Sequence, residues 1–265
     1  MIKKWFSPMK EIPKAAAMRL GVSAFVLLIL LWSLMTFSGW VKPIFLPSPG
    51  KVLDTFVNLM KEGSLNRDIW DSLLRVVLGF AFAAIIAVPL GLFMGCLRSV
   101  QSFFEPMISF IRYMPASAFI PLFILWIGIG ESEKMTIIFF GTFFQLTLMI
   151  MDVTKNVSKD LVEISYTLGA TNWQIFRKII YPAAKPGIVD TLRITFGWAW
   201  TYLIVAEIVG ASSGLGYMIM QSSRFLRPDK VIMGIIIIGL LGLITDLLFK
   251  LFYKKAFAYL NKGGK

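Results

Sequence analysis

Long apolar runs are the feature that most constrains what this chain can fold into. Residues 20–37 read LGVSAFVLLILLWSLMTF and contain no charged side chain. A helix that crosses a bilayer needs about 20 mostly apolar residues, and 57% of the 265 residues are hydrophobic. The chain is therefore long and apolar enough for about six such helices. We predict an all-α membrane protein with six transmembrane helices.

The six predicted spans differ in regularity. They cover residues 20–37, 71–95, 102–128, 134–151, 187–210 and 231–251. In the second span, Gly91 and Gly95 are spaced to let another helix approach closely. The third span is expected to start with a short interfacial helix and to be broken near Pro115 and Pro121. Such breaks occur at membrane depth only where protein or a wet cavity covers the freed backbone. A short outer-surface helix is predicted over residues 51–62.

Basic charge indicates orientation rather than nucleic-acid binding. The chain has 27 Lys and Arg against 15 Asp and Glu, a net charge of +12. If the loops alternate between sides, about twice as many basic residues fall inside as outside, as the positive-inside rule expects. We therefore predict a cytoplasmic N-terminus (1–19), a transmembrane domain (20–251) and a cytoplasmic tail (252–265). A cleaved signal peptide is the alternative for the first run, but Trp32 and Trp40 look like an interfacial anchor and no small-residue cleavage site is clear.

Several kinds of chemistry are excluded by what the sequence lacks. It has no His, and Cys96 is its single cysteine. Histidine-based catalysis, an internal disulfide and a thiolate zinc site are therefore excluded. The internal Gly50-Lys51 pair is followed by Val52 and has no upstream glycine, so it is not a phosphate-binding loop. We expect no metal or cofactor in this chain and no enzymatic activity of its own. If ATP drives this protein, another chain binds it.

One polar stretch, residues 158–186, interrupts the apolar pattern. Leu161, Ile164 and Leu168 fall on one face of a predicted first helix. Gly169 supplies the permissive backbone that ends this helix. The stretch is therefore expected to form two short helices joined by a glycine hinge.

The second helix of this stretch has its own start and stop signals. Thr171 and Gln174, three residues apart, form a capping-box pattern. Trp173 and Phe176 belong to an apolar stripe, and Pro182 is expected to end the helix. An exposed pair of apolar helices suits docking into a groove on a soluble partner. We call residues 158–182 the coupling hairpin.

The residues of the coupling hairpin carry a family resemblance. Glu163-Ile164-Ser165, then Gly169, then Ile179-Ile180-Tyr181-Pro182 resemble the EAA loop of bacterial ABC importer permeases. Ile164, Ser165 and Tyr181 depart from the family's pattern. The segments outside the hairpin that share the resemblance, roughly within residues 40–250, are Leu46-Pro47-Ser48-Pro49, Ser72-Leu73-Leu74-Arg75-Val76, Gly79-Phe80, Ile120-Pro121-Leu122, Ile124-Leu125-Trp126, Ala206-Glu207 and Ser213-Gly214-Leu215-Gly216-Tyr217. They look like the subfamily that imports nitrate, sulfonates, taurine or bicarbonate.

The resemblance implies the type I ABC importer permease fold in the bacterial inner membrane. It implies a homodimer of this permease, two separate ATPase subunits that bind ATP and Mg, and an extracytoplasmic substrate-binding protein. The ATPase-coupling residues that it implies are Glu163, Ile164, Ser165, Gly169, Ala170, Trp173, Phe176 and Pro182. For Glu163, a favourable charge on the helix dipole is the alternative to a contact with the ATPase.

The fifth span holds a second candidate site. Its polar and aromatic residues recur at steps of three or four and so share one helical face: Asp190, Arg193, Gly197, Trp200, Ile204 and Glu207. Ionisable residues within a membrane cost about 2.5–3.5 kcal/mol at mid-helix and mark pathways by default. We predict a translocation path lined by Arg75, Arg193, Gly197, Trp200 and Glu207. A structural seam between helices is the alternative reading of this face.

Three local questions stay open at this stage. Arg75 is one turn from Asp71, so it pairs with that residue, pairs with Glu207 or attracts an anionic solute. The polar residues of the fourth span, including Gln145, serve either the solute or helix–helix contact. Residues 213–217 form either a gate-like turn or a plain loop.

The predicted function is that of a permease subunit for a small anionic solute. A secondary transporter or channel driven by an ion gradient is the alternative from another class. Its mark would be a central acid near mid-membrane, and the fourth and sixth spans lack a central acid pair. A membrane enzyme is disfavoured by the missing histidines.

The predicted topology has a direct test. A cysteine introduced at Ser158 or near the C-terminus should react only with reagents that reach the cytoplasm, because both positions lie on the basic side. Lys61→Cys, in the predicted outer segment, should react from the opposite side. Labelling of Ser158→Cys from outside would overturn the topology.

Overall fold

The structure is helical throughout the described part of the chain. It is a computed structural model that describes residues 12–259, and no strand occurs among them. The α-helices are α1 (Lys14–Phe37), α2 (Pro49–Glu62), α3 (Ser64–Cys96), α4 (Arg98–Ile111), α5 (Ile120–Ile127), α6 (Glu131–Lys155), α7 (Lys159–Thr167), α8 (Asn172–Ile175), α9 (Tyr181–Gly210), α10 (Leu215–Arg224) and α11 (Pro228–Ala256). A 3₁₀ turn, Ala116–Phe119, precedes α5, and a π turn, Phe176–Ile180, precedes α9. The basic residues predicted at the two ends lie partly in 1–11 and 260–265, outside the described residues.

Within residues 12–259, five helices are long and apolar enough to cross a membrane. They are α1, α3, α6, the continuous helix Asn172–Gly210 and α11. A sixth candidate is the pair formed by α4 and residues 116–127, which is bent by 83°. The most apolar part of α1 is 0% buried against the rest of the chain. Its link to the body is the Trp32 indole, which donates to the carbonyl of Pro47 at 2.9 Å.

The predicted outer helix is present as α2, and it is fixed to α11. Ser48 accepts a hydrogen bond from the backbone N–H of Lys51, which caps the start of α2. Thr55 Oγ1 then donates to Asp229 Oδ2 at 2.9 Å. Asp229 also forms an ion pair of 2.9 Å with Arg227. Because Asp229 is buried, these two partners satisfy a carboxylate that would otherwise be costly at this position.

The third predicted span is broken at Pro115, the first of the two prolines that were expected to break it. α4 ends at Ile111, and Pro115 opens the 3₁₀ turn. Pro121 causes no break, because it lies in the first turn of α5. There its missing N–H would be unpaired in any case. The break therefore lies at residues 112–115.

A seam of glycines joins α3 to α6. A Cβ added at Gly91 would lie 2.6 Å from the carbonyl oxygen of Thr147, and one at Gly79 would lie 2.9 Å from Cβ of Ile138. At Gly95 the added atom would overlap the side chain of Thr154. The close approach predicted for Gly91 and Gly95 is therefore present, and α6 is the helix that makes it.

The main core lies between α3, α6 and α9. Val76, Leu146, Ala199 and Leu203 are completely buried there. In a water-soluble protein, burying one Val or Leu side chain contributes about 1.5–3 kcal/mol to the stability of the fold. Inside a bilayer there is no such hydrophobic contribution between helices, and close packing stabilises their contact instead. Phe80 and Phe196 meet edge to face across the α3–α9 contact, with ring centroids 5.0 Å apart.

The prediction that Pro182 ends the second hairpin helix is wrong. The chain stays helical from Asn172 to Gly210, and Pro182 lies in the first turn of α9. The π turn explains this, since the N–H of Tyr181 bonds to the carbonyl of Phe176, five residues back. The wider turn accommodates the proline ring, which in a regular helix would clash with the carbonyl four residues before it. The fifth span and the second hairpin helix therefore form one continuous helix, Asn172–Gly210.

The α3–α6 seam predicts a stability effect for Gly91→Ala. The added methyl group would meet the backbone of α6, and overpacking of this kind costs about 1–3 kcal/mol. The unfolding midpoint of the purified protein should fall, as measured by thermal unfolding in detergent. Gly239→Ala is the matched control, because no atom lies within 4 Å of its added Cβ. Equal midpoints for the two variants would contradict a close seam.

Candidate functional site

Arg75 is the centre of a buried polar cluster at one end of the helices. Its side chain is 2% exposed. Nη1 donates to Glu207 Oε1 at 2.7 Å and to the carbonyl of Ser213 at 2.7 Å. Nε and Nη2 donate to the two carboxylate oxygens of Glu131 at 2.6 and 2.7 Å. The guanidinium thus makes a bidentate ion pair with Glu131 and a single hydrogen bond to Glu207. Bidentate arginine–carboxylate pairs are among the strongest hydrogen-bonded contacts in proteins.

Of the two partners considered for Arg75, the structure selects Glu207. Asp71 instead accepts a hydrogen bond from Ser213 Oγ at 2.6 Å. Asp71 also lies 3.9 Å from Arg67, whose side chain is 80% exposed. An exposed ion pair such as Arg67–Asp71 contributes little to the stability of the fold.

Glu207 is satisfied from several elements at once. Its carboxylate accepts hydrogen bonds from Ser72 Oγ at 2.8 Å and from the N–H of Gly216 at 2.7 Å. Ser72 Oγ in turn accepts from the N–H of Leu215 at 2.9 Å. A buried carboxylate is tolerated only with such partners. The segment between α9 and α10 is therefore tied to both α3 and α9.

Gly214 is required at the centre of this segment. Its N–H donates to Asp68 Oδ1 at 2.8 Å, and its φ of +113° is unfavourable for other residues. A Cβ at this position would overlap Glu207 Oε1 and lie 2.6 Å from Arg75 Nη1. Residues 213–217, for which gate and plain loop were left open, are a bend at 213–214 followed by the first residues of α10, and hydrogen bonds hold them against the cluster. We call Ser72, Arg75, Glu131, Glu207 and residues 213–216 the outer cluster.

A second ionic group lies near the other end of α9. Arg193 pairs with Asp190 at 2.8 Å, as the spacing suggested, and with Asp246 of α11 at 2.9 Å. Asp246 also pairs with Lys250 at 2.7 Å. The group is partly exposed, and it links α9 to α11.

The predicted path residues are divided between these environments. Arg75, Trp200 and Glu207 are buried within the single chain, Arg193 is half-buried and Gly197 is exposed. Trp200 packs in the core, with Cδ1 3.9 Å from the Cβ position of Gly242 on α11. A path-lining role for these residues stays a prediction.

The coupling hairpin has the local geometry that its sequence predicts. Gly169 has a φ of +80°, and the N–H of Ala170 bonds to the carbonyl of Ser165. Both capping-box bonds between Thr171 and Gln174 are present. The apolar face of α7 is uncovered, since none of its residues is buried.

Aromatic stacking and one buried residue fasten the hairpin to α3. The rings of Trp173 and Phe176 stack at 5.5 Å, and Phe176 stacks on Phe93 of α3 at 5.5 Å. Ile175 is 2% exposed beneath them. Among the large apolar side chains of the hairpin, Leu168 has the highest exposed fraction, 82%.

Several residues of these sites were missed by sequence reasoning. Ser72 shares a helical face with Arg75, and this spacing was an available signal. Ile175 follows the apolar spacing of its helix and was also detectable. Glu131 and Asp246 offered no such signal, because each meets its arginine from a helix distant in sequence.

Apolar helices, buried ionic clusters and an uncovered polar hairpin together define a multi-pass membrane protein of the transport-permease class. Residues 87–257 match the family described as "Binding-protein-dependent transport system inner membrane component". The chain belongs to this family, the inner-membrane permease subunits of ABC importers.

Named relatives agree with this assignment. The chain is 34% identical to the Bacillus subtilis putative aliphatic sulfonates transport permease protein SsuC, over 88% of this chain and 85% of that protein. It is 30% identical to the Escherichia coli taurine transport system permease protein TauC, over 89% and 87%. It is 27% identical to the Synechocystis nitrate import permease protein NrtB, over 76% of each chain.

Solved structures share the fold. One from the MetNI methionine ABC transporter in inward-facing conformations has a TM-score of 0.61 at 21% identity, covering 72% of this chain and 96% of that one. A chain of an amino acid ABC transporter also has a TM-score of 0.61, at 18% identity, over 77% and 96%.

The Arg75–Glu207 contact predicts strong thermodynamic coupling. Arg75→Met or Glu207→Gln alone should each cost about 3–5 kcal/mol, because each leaves buried partners unpaired. The double variant should lose less than the sum of the two, as measured by thermal unfolding in a double-mutant cycle.

The matched control for this cycle is Arg67→Met, which removes an exposed arginine from the same helix. Its effect should stay within about 0.5 kcal/mol. Strict additivity of Arg75→Met and Glu207→Gln would show that the two side chains do not interact.

Proposed function

We propose that this permease carries a small oxyanion of the sulfonate, taurine, nitrate or bicarbonate class into the cytoplasm. In this proposal it acts as a homodimer with two ATPase subunits, which bind ATP and Mg, and receives solute from an extracytoplasmic binding protein. The names of the relatives support the substrate class. The bent pair α4 and residues 116–127 serves as the sixth span, and both termini lie in the cytoplasm. The transmembrane domain covers residues 20–251, between basic segments 1–19 and 252–265.

The observation that carries the coupling mechanism is the uncovered hairpin at the start of a continuous rod. The helix Asn172–Gly210 has 39 residues, a length of about 58 Å at 1.5 Å per residue. Its first turns belong to the coupling hairpin, and Glu207 of the outer cluster lies near its last turn. A push by the ATPases on Glu163, Ile164, Ser165, Gly169, Ala170, Trp173, Phe176 and Pro182 would therefore move the outer cluster as part of one rigid body.

The exposed face of the hairpin supports the ATPase contact. Leu161, Ile164, Leu168 and Trp173 are all at least 49% exposed. Apolar side chains at adjacent positions on a cytoplasmic helix are typical of helix-in-groove docking. A driving force from an ion gradient is disfavoured by membership of the ABC importer family.

The coupling role predicts a loss of ATPase association in Leu168→Ser. This change removes the apolar side chain of the hairpin that has the highest exposed fraction and does not alter the backbone, so the permease should still insert and fold. Co-purification of the ATPases should fall by about tenfold or more, as expected for a central interface residue. ATP-driven uptake in proteoliposomes should fall with it.

Phe225→Ser is the control for Leu168→Ser, because Phe225 is 71% exposed and follows α10, beyond the far end of α9. It should co-purify with the ATPases as the wild type does. Unchanged ATPase association in Leu168→Ser, Trp173→Ser and their combination would refute docking through this hairpin.

A further inference from the structure

The break between α4 and α5 opens on a cavity of about 260 Å³. Arg112 and Tyr113 line it from the break, Phe140 and Phe144 from α6, and Thr201 and Tyr202 from α9. Gly141 allows the α9 wall to come close, since a Cβ there would lie 2.5 Å from Cγ of Tyr202. A cavity of this size holds a small polyatomic ion with some water.

Arg112 lies beside the middle of α6, one of the helices long enough to cross a membrane. Nη1 lies 3.4 Å from Gln145 Oε1 of α6. Gln145 is 14 residues from Glu131 and 10 from Lys155, the ends of α6, which gives about 21 and 15 Å at 1.5 Å per residue. The guanidinium is thus near the centre of a 25-residue apolar helix.

No carboxylate neutralises Arg112 within residues 12–259. Its side-chain partners there are Gln145 Oε1 and the hydroxyl of Tyr113 at 2.9 Å. The guanidinium also lies over the ring of Tyr113, 4.8 Å from the centroid. Arg75, Arg193 and Arg227 differ from it, because each pairs with an acid.

An unpaired arginine at this depth does not face lipid. A charge at mid-helix is found in bundle interiors or water-filled cavities, and the irregular backbone at residues 112–115 is subject to the same restriction. Two independent features, the charge and the helix break, therefore point to a wet space beside Arg112.

We propose that Arg112, with the Tyr113 hydroxyl and the Gln145 amide, forms the mid-membrane binding site for the transported oxyanion, an inference that rests on the proposed function. Arginine presents several N–H donors in a planar fork that matches the oxygens of sulfonate, nitrate or bicarbonate. The Tyr113 hydroxyl adds a neutral donor at the cavity, and Gln145 orients the guanidinium by accepting from Nη1, so the site carries one net positive charge toward the cavity. Such a site binds one small anion by a few hydrogen bonds and does not hold it by a full cage.

A structural role for Arg112 would have a different signature. Arg112 is the C-cap residue of α4, where a positive charge interacts favourably with the helix dipole. Lysine would serve that role as well as arginine and would leave anion affinity unchanged. A binding role requires the planar fork, so Arg112→Lys should keep only part of the affinity.

The test uses the permease–ATPase complex in nanodiscs without binding protein. Binding of nitrate, taurine and bicarbonate is measured in separate titrations for the wild type, Arg112→Gln, Arg112→Lys and Arg224→Gln. Arg224 is exposed and does not line the cavity. We expect the wild type and Arg224→Gln to bind at least one of these anions equally. Arg112→Gln should weaken that binding by about tenfold or more, with Arg112→Lys in between.

Uptake and ATP hydrolysis with binding protein present complete the test. Arg112→Gln should lower the anion imported per ATP hydrolysed, while ATPase association stays normal. Anion affinity and uptake within twofold of the wild type in Arg112→Gln would overturn the inference, as would absence of wild-type binding to all three anions. If Arg112→Gln does not assemble, Gln145→Leu and Tyr113→Phe take its place, and unchanged affinity in both overturns it. Wild-type import that does not depend on ATP would refute the proposed function. That conclusion would hold regardless of the anion affinities measured in the titrations.

Discussion

The buried guanidinium of Arg75 is the interaction on which the arrangement of the helices most depends. Arg75 belongs to α3, and its guanidinium donates hydrogen bonds to Glu131 at the start of α6 and to Glu207 near the end of α9. Lys134, also buried, lies 4.0 Å from Glu131 and adds a second positive charge beside it. Since a charge left unpaired in such a site costs several kcal/mol, the cluster is either closed with all partners in place or opened as a unit.

Two closely packed helices and one long helix surround this cluster. The glycine seam locks α3 to α6, because the backbones approach too closely for any relative sliding without clashes. The continuous helix Asn172–Gly210 packs on this pair, with its first turns in the hairpin and Glu207 near its last turn. The π turn before Pro182 keeps the hairpin and the span continuous, and the proposed transmission of a displacement along this helix requires that continuity.

Features governed by neighbouring residues were predictable from the sequence. The left-handed Gly169, the Thr171–Gln174 capping box and the apolar runs all depend on local spacing. The helix end at Pro182 was predicted wrongly. Proline is expected to end an α-helix, in which each N–H bonds to the carbonyl four residues before it, but here the chain forms a π turn with bonds to the carbonyl five residues before. The acids that complete the ionic clusters, Glu131 and Asp246, were beyond prediction, since their partners are set by how distant helices pack.

The same limit explains why periodicity identified a polar face on α9 but not its neighbours. Trp200 and Glu207 of that face are covered by other helices of the chain, whereas Thr201 and Tyr202, one step around the helix, line the cavity. The rule that an intramembrane charge marks a pathway applies equally to Arg75 and Arg112. The two arginines differ in their hydrogen-bond partners. Arg75 bonds to two carboxylates, whereas the side-chain partners of Arg112 are neutral. A positive charge that its own fold leaves uncompensated is free to be compensated by a passing anion, and this makes Arg112 the better candidate for contact with solute.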